Sequence, residues 1–315
     1  MRIVICAIAT VVMLILASCE HKELCYTDPD AVYIHVTFDW RYAPDARPES
    51  ISLYLYPAGG GEMLRYEFTD RAGGIIRVPA GDYDAVCLNS DTKNLYYRNI
   101  ERITTFEVTT ETATPLSGLS SLELRSESAP RAFSTKNERV AMPAEKLWND
   151  HKEDICLGNA SGSQEVTFYP KPSHCTYTVE IQNVNNVKHL SGLGGSLSGL
   201  SGGVLVGVDE ISPEYVTIPF GMEKSWGKNI TGCFLTFGHY SLAQNTHQLT
   251  IYAVLTNGSK WYYNYDVTDQ VHSAPDQHNV HIILDELPLP ESIPGGGGFQ
   301  ASVDEWVPVY IDIPM

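Results

Sequence analysis

An alternation of apolar and polar side chains runs through residues 31–40, which read AVYIHVTFDW. On an extended chain its apolar residues share one face: Val32, Ile34, Val36, Phe38 and Trp40. Because successive side chains of a strand point to opposite faces, this spacing is typical of a strand with one face on a core and the other in water. The stretch therefore predicts an antiparallel β-sheet with one solvated side.

The same period of two recurs along most of the chain. Further strand segments are predicted at residues 51–55, 64–68, 73–87 (two strands around a turn at 79–82), 103–109, 165–169, 176–182, 249–255, 261–267 and 280–284. The dipeptide Asn257-Gly258, which separates two of these strands, is a strong signal of a β-hairpin. One short helix is predicted at residues 143–154, with Pro143 at its first position. Since the sequence has no long helical periodicity, we expect an all-β protein of two antiparallel β-sandwich domains of the immunoglobulin or transthyretin kind.

The N-terminus has the features of an export signal. Arg2 precedes an apolar run at residues 3–17, which is shorter than the roughly 20 residues that a membrane-spanning helix needs. The end of this run and the two residues after it, Leu16-Ala17-Ser18-Cys19, resemble the bacterial lipobox. In a lipobox the cysteine is lipidated and becomes the first residue of the mature protein. We therefore predict a lipoprotein signal peptide at 1–18, a lipidated tether at 19–30, one β-sandwich domain at 31–170 and a second at 171–315. Pro170 and Pro172 mark the boundary because proline cannot donate to a sheet ladder.

Charge and cysteine spacing argue against several classes of partner. The chain has 21 Lys and Arg residues against 38 Asp and Glu, a net charge of −17, and no basic cluster. Nucleic acid is therefore not an expected partner. Five cysteines follow Cys19 without a close pair: Cys25, Cys87, Cys156, Cys175 and Cys233. Zinc sites usually contain such pairs, so neither a metal nor another cofactor is expected.

No catalytic site is recognisable in the sequence. The glycine-rich residues 191–203 lack the Lys of a phosphate-binding loop, and neither they nor Gly162-Ser163 form a Gly-x-Ser-x-Gly elbow. For this stretch, a flexible backbone or a tight crossing beneath leucines is expected instead. His278 and His281 are three residues apart, so on a strand they point to opposite faces and do not share a metal with His272. We expect a protein that is not an enzyme.

Several motifs, in their order along the chain, resemble an uncharacterised Bacteroidales lipoprotein family related to the fimbrillin-like proteins. These motifs are Arg77-Val78-Pro79-Ala80-Gly81-Asp82-Tyr83, Gly199-Leu200-Ser201-Gly202-Gly203, Thr217-Ile218-Pro219-Phe220 and Val303-Asp304-Glu305-Trp306. The resemblance implies two transthyretin-like domains, a lipid anchor in the outer membrane with exposure at the cell surface, and a role in fimbrial assembly, anchoring or adhesion. It also implies other fimbrial subunits, or ligands on host or bacterial surfaces, as partners.

A second hypothesis is a surface lipoprotein that binds glycans by stacking sugar rings on aromatic side chains. The candidates are Tyr252, Trp261, Tyr262, Tyr263 and Tyr265. Since Trp261, Tyr263 and Tyr265 share one face of a predicted strand, a place in the core is the competing interpretation.

The C-terminus contains one more alternating segment. Its apolar residues are Phe299, Ala301, Val303, Val307, Val309, Ile311 and Ile313, and it follows four glycines at 295–298. This pattern predicts a strand that buries one face, either in its own domain or in a partner's sheet. We favour the strand's own domain, because an unpaired apolar strand would promote aggregation.

Replacing Cys19 by alanine should abolish lipidation and release the protein from the membrane fraction. Two or more acyl chains hold a protein on a membrane, and the variant would carry none. Palmitate labelling and fractionation measure the effect, with Cys25→Ala as the matched control. A Cys19→Ala protein that still labels and still sediments with outer membrane would show that the predicted anchor is wrong.

Overall fold

The computed structural model describes residues 31–119, 129–158, 164–225, 227–242, 245–291 and 306–309. Almost all of the regular secondary structure in these residues is β-strand, which confirms the all-β class expected from the alternating pattern. Most neighbouring strands run antiparallel.

The strands up to residue 172 are β1 (Ala31–Phe38), β2 (Ile51–Pro57), β3 (Leu64–Phe68), β4 (Gly73–Pro79), β5 (Gly81–Asn89), β6 (Leu95–Arg98), β7 (Glu107–Thr110), β8 (Arg139–Val140), β9 (Trp148–Leu157), β10 (Gln164–Phe168) and β11 (Lys171–Pro172). The later strands are β12 (Cys175–Gln182), β13 (Leu190–Ser201), β14 (Gly203–Leu205), β15 (Glu210–Ile211), β16 (Tyr215–Lys224), β17 (Ile230–Thr236), β18 (Gln248–Leu255), β19 (Lys260–Asp266), β20 (Asn279–Asp285) and β21 (Trp306–Val309). The helical elements are α1 (Thr268–His272) and short 3-10 turns at Ile103–Thr105, Phe133–Thr135 and Val187–His189.

Two sheets enclose the core of the first half. One has the order β10-β1-β4, and the other has the order β11-β9-β5-β2-β3. The apolar face predicted for β1 lies between them, where Ile34, Val36 and Phe38 are buried. The ring of Phe38 meets that of Phe68 edge to face at a centroid distance of 5.2 Å. Each such side chain contributes about 1.5–3 kcal/mol through removal of its surface from water.

A third sheet, with the order β15-β14-β7-β6, covers the outer face of the five-stranded sheet. Tyr54 of β2 and Val86 of β5 pack against Phe106 and Val108 in this layer. The rings of Tyr54 and Phe106 meet edge to face at 5.0 Å. Strand β2 is therefore buried on both faces.

Each half of the chain contributes strands to the other half. Strand β14 pairs with β7, so that Gly203 lies opposite Thr109. In the reverse direction β8 pairs with β16, so that Val140 lies opposite Thr217. The division into domains at 31–170 and 171–315 stays a proposal. A feature shared by the two halves supports it. In the first half β1 pairs in parallel with the late strand β10, and in the second half β12 pairs in parallel with the late strand β20.

The second half is a sandwich whose two layers are joined through β16. The strand order is β20-β12-β17-β16-β13-β18-β19-β21, with β8 added beside β16. The first part of β16 pairs with β13, and its last residues, Met222 to Lys224, pair with β17. Side chains from both layers share one core, including Tyr177, Leu197 and Ile251.

Phe220 lies at the corner where β16 passes from one layer to the other. Its ring stacks on that of Phe234 at a centroid distance of 4.5 Å. A Cβ atom on Gly195 would lie 2.6 Å from Cζ of Phe220, and a Cβ atom on Gly232 would lie 2.9 Å from its Cε2. Glycine on both neighbouring strands therefore makes room for the ring.

The glycine-rich residues 191–203 form most of β13, a buried strand between β16 and β18. Gly192 and Gly194 lie under the side chain of Leu119, where their Cβ atoms would approach Cδ2 to 3.8 and 3.4 Å. Close packing beneath a leucine, one of the two expected explanations, therefore describes this stretch.

The helix predicted at residues 143–154 is wrong, because residues 148–157 form β9 between β5 and β11. Asn149 in this strand is fully buried, and its Nδ2 donates to the carbonyl of Val206 at 3.1 Å. The backbone ladder with β5 outweighs local helical preference, which is a weak determinant by comparison. The strand predicted at 103–109 is shorter than expected, since a 3-10 turn occupies 103–105.

Gly195→Ala should destabilise the protein by about 1–3 kcal/mol, because the added methyl group overpacks the site of Phe220. The midpoint of urea denaturation measures this effect. Gly59→Ala is the matched control, since a Cβ atom at Gly59 would have no neighbour within 4 Å. The double variant Gly195→Ala/Phe220→Leu should recover part of the loss, and a wild-type midpoint for Gly195→Ala would contradict the packing argument.

Candidate functional site

Sheet edges are the first candidates for contact with another subunit, because an edge strand offers unpaired backbone groups to a second chain. In the large sheet of the second half, the strand order leaves β20 at one edge and β21 at the other. The two edges differ in what covers them.

A glutamine blocks the β20 edge. Gln270 of α1 donates from Nε2 to the carbonyl of Ile283 at 3.0 Å, and Ile283 N–H donates to Gln270 Oε1 at 2.8 Å. One side-chain amide thus satisfies both backbone groups of Ile283. A strand that paired along β20 would have to displace α1 first.

The opposite edge is formed by β21, which pairs in parallel with β19. Trp306 lies opposite Lys260, and Val309 lies opposite Tyr263. The described part of the C-terminal segment therefore pairs within its own chain. Val309 packs against the core as expected, but Val307 is 39% exposed, so the predicted burial is wrong at that position.

Trp306 fastens β21 to a small apolar cluster outside the main core. Its ring meets that of Tyr252 edge to face at 5.4 Å, and Leu116 and Leu119 complete the cluster. The Tyr252 hydroxyl donates to the carbonyl of Pro130 at 2.9 Å, and burial raises the pKa of Tyr252 to about 12. Strand β21 is thus held by one short ladder, by this aromatic anchor and by the packing of Val309 against the core.

The aromatic residues proposed as a glycan platform belong mainly to the interior. Tyr252, Tyr263 and Tyr265 are buried, whereas Trp261 and Tyr262 are half-buried. The hydroxyls of Tyr263 and Tyr265 donate to backbone carbonyls at 3.1 and 3.5 Å. These side chains do not present an open stacking surface.

A cleft of about 810 Å³ lies where the two halves meet. Tyr42 is on one side of it, and β11, β12 and β15 supply other walls. Lys171 Nζ and Asp209 Oδ2, which both line it, form an ion pair at 2.6 Å, and His151 Nδ1 lies 3.4 Å from the same oxygen. The cleft therefore combines charged groups with an exposed aromatic ring.

Cys175 and His278 also line this cleft, with Sγ and Nδ1 3.6 Å apart. A cysteine and a histidine at this distance suggest nucleophilic catalysis, which requires a thiolate. Burial instead raises the pKa of Cys175 to about 11. The thiol is therefore protonated at neutral pH and is not an activated nucleophile.

Three histidines from separate segments meet near one end of the second sandwich. His239, His247 and His272 place potential ligand atoms within 4.8 Å of one another. Burial, together with the smaller effect of neighbouring histidines, lowers the pKa of His239 and of His247 to about 4. Both rings are therefore neutral at pH 7. In contrast, His281 lies on β20 with its Nε2 3.4 Å from Glu180, away from this group.

Cys19 lies outside the described residues, so its lipidation stays a prediction. Within the described ranges, no helix is long and apolar enough to cross a membrane. Cys87 and Cys175 are buried free thiols, and Cys156 and Cys233 are exposed free thiols.

Sequence reasoning gave no role to Gln270, quoted Trp306 only within a family motif, and did not place His272 with His239 and His247. These roles depend on contacts with residues that lie elsewhere in the chain. The alternating C-terminal pattern was the one available signal for β21.

The fold resembles that of solved proteins from Bacteroides. A "putative adhesin" from Bacteroides ovatus matches with a TM-score of 0.61 and 16% identity, covering 84% of this chain and 94% of that one. Structures described as "putative polysaccharide binding proteins" from Bacteroides thetaiotaomicron match with a TM-score of 0.52 and 11% identity, covering 80% and 90%. At such identities the likeness establishes the fold.

A sequence relative provides a further link. The "Putative fimbrium anchoring subunit Fim4B" of Bacteroides ovatus is 26% identical over 98 residues. The chain spans 29% of the length of that relative, and the match covers 31% of this chain. This relationship agrees with the expected likeness to fimbrillin-like proteins.

A family model described as "Domain of unknown function (DUF5119)" matches residues 18–221. Since the match extends over more than half of the sequence, the chain belongs to the DUF5119 family.

Proposed function

We propose that this chain is a non-enzymatic surface lipoprotein that anchors or assembles fimbriae through the β19–β21 edge. The observation that carries the proposal is the difference between the two edges of the large sheet. Gln270 blocks β20, whereas the other edge ends in a short strand held by one ladder, by Trp306 and by Val309. The relative named as a fimbrium anchoring subunit supports the choice of fimbriae.

A partner strand can use this edge in two ways. It can pair with the outer side of β21, or β21 itself can leave β19 and be donated to the partner's sheet. In either case the backbone ladder provides affinity, and pockets for alternate side chains provide specificity. The second way would leave the cluster of Leu116, Leu119 and Tyr252 open to an apolar side chain from the partner.

The proposed location is the outer membrane, with the folded part at the cell surface. Lipidation at Cys19 would hold the chain on the membrane, and residues 19–30 would act as its tether. The lipobox-like sequence and the names of the relatives support this location. The net charge of −17 suits a solvated surface protein, and the sequence has no basic cluster that would bind nucleic acid.

The absence of enzymatic activity is part of the same proposal. The Cys175–His278 pair has the residue types of a nucleophile and base, and the raised pKa of its thiol opposes that role. The relatives named as an adhesin and an anchoring subunit point the same way.

Truncation after Pro294 tests the assembly edge, because it removes the whole C-terminal segment. Cells that carry the truncated protein should release fimbriae into the medium, and fimbrial subunits should no longer copurify with it. Trp306→Ala should weaken copurification through loss of the contact with Tyr252. Tyr215→Ala, which changes an aromatic residue 37% exposed on another strand, is the control.

The melting temperature of the truncated protein separates the two ways of pairing. A sharp decrease indicates that β21 completes its own domain, and an unchanged value with lost copurification indicates that the strand is donated to a partner. Undiminished copurification of fimbrial subunits with the truncated protein would contradict the proposed edge.

Glycan binding is the second candidate function, and the cleft is its best location. Tyr42 is 63% exposed beside the cleft, and its ring lies 6.4 Å from that of Tyr169. A sugar could stack on Tyr42 while its hydroxyls bond to Lys171 and Asp209. A glycan array should then detect binding that Tyr42→Ala lowers at least about tenfold, as expected for the loss of ~1.4 kcal/mol. Tyr33→Ala is the control, because Tyr33 is equally exposed on β1.

A further inference from the structure

The three histidines described above come from parts of the chain that have no common motif. His239 follows β17, His247 precedes β18, and His272 ends α1. The Nε2 atoms of His247 and His272 are 3.1 Å apart, and the rings of His239 and His272 are stacked at 5.6 Å. The expectation of no metal rested on close pairs in the sequence, and it did not consider residues that only the fold brings together.

In His247 and His239, Nδ1 is hydrogen-bonded to another part of the chain. His247 Nδ1 lies 3.0 Å from the carbonyl of Ser198, so this nitrogen carries the proton and Nε2 carries the lone pair. His239 Nδ1 is hydrogen-bonded to the hydroxyl of Tyr177, a fully buried residue. A histidine that binds a metal through one ring nitrogen usually forms a hydrogen bond through the other. That bond sets the tautomer and the orientation of the ring.

The separation of the two Nε2 atoms also fits a shared ion. Two ligands on a tetrahedral zinc with bonds of about 2.0–2.1 Å lie roughly 3.3 Å apart. Without an ion, His272 Nε2–H donates to the lone pair of His247. Because His272 is half-buried, its proton can move to Nδ1 through solvent and free Nε2 for a metal.

From this geometry we propose that His239, His247 and His272 form a site for a divalent transition-metal ion, with Zn²⁺ as the preferred occupant. Three imidazoles without a carboxylate suit Zn²⁺, Cu²⁺ or Ni²⁺ and do not suit Ca²⁺ or Mg²⁺, which require oxygen ligands. Ser241 Oγ lies 3.1 Å from His239 Nε2, beside the fourth coordination position, which this hydroxyl or a water would fill.

The ion would cross-link three segments of the second half. It would fix the end of α1 to the segments that precede β18 and follow β17. Helix α1 also carries Gln270, whose amide covers the β20 edge. Bound metal would therefore stabilise the helix that keeps this edge closed.

The test uses the full-length protein, purified in detergent and freed of metal with a chelator. Titration with Zn²⁺ should give one ion per chain and raise the melting temperature by on the order of 5 °C at saturation. Substitution with Co²⁺ should give the strong visible absorption of a tetrahedral nitrogen-ligated ion. His272→Gln should weaken the affinity at least about 100-fold, whereas the exposed His35→Gln and His281→Gln should leave it unchanged.

His272→Gln is the main variant because this ring is half-buried and its contacts are the hydrogen bond to His247 and ring packing on His239 and His247, so the fold should survive its loss. Circular dichroism checks that the variant is folded, and His239→Asn provides a second variant. Wild-type protein that binds less than one equivalent of Zn²⁺, or whose binding is unaffected by His272→Gln in a folded sample, would overturn the proposal.

Discussion

The ladder between β7 and β14 is the constraint on which the arrangement of the two halves depends. Thr109 Oγ1 donates to the carbonyl of Gly202 at 2.7 Å in a fully buried setting. The next residue, Gly203, has no room for a side chain, since its Cβ atom would lie 2.7 Å from the carbonyl oxygen of Val108. These contacts place a strand from beyond residue 171 inside the third layer of the first half.

Arg139 reinforces the same junction from a third segment. Its guanidinium forms two bonds to Glu214, at 2.8 and 3.0 Å, and it also donates to the carbonyl of Thr110 at 3.0 Å. The pKa of Glu214 is lowered, first by its hydrogen bond to Arg139. Since both side chains are partly buried, removal of one would leave the other charge poorly solvated. The two halves are thus tied by backbone pairing and by this ion pair.

The two far edges of the large sheet in the second half differ in how they can accept a further strand. One edge is covered by an element of the chain itself, because Gln270 satisfies the backbone of Ile283. The other ends in β21, which is anchored through Trp306 outside the main core. An assembly protein needs one usable edge and must protect the rest against uncontrolled pairing. The proposed metal site would keep the β20 edge covered, because it would hold α1, the helix that carries Gln270, in place.

Local periodicity predicted most of the strands because an exposed face and a buried face differ in polarity. The β18–β19 hairpin is an example, since Asn257-Gly258 adopts a turn in which Gly258 N–H donates to the carbonyl of Leu255 at 2.9 Å. Strand β9 was missed for the opposite reason. Its residues WNDHKEDICL have no apolar alternation, and the ladder with β5 decides their conformation.

The sequence by itself determined the all-β class, most strand positions and the family resemblance, because each is encoded in short stretches of residues. Only the tertiary structure decided which strands became neighbours, which edge stayed open and which histidines met. Those outcomes depend on contacts between residues far apart in the chain, such as Gly203 with Thr109 and His247 with His272. A local pattern carries no information about such pairs, since the same alternating strand can pair with many others and only packing of the whole chain selects one.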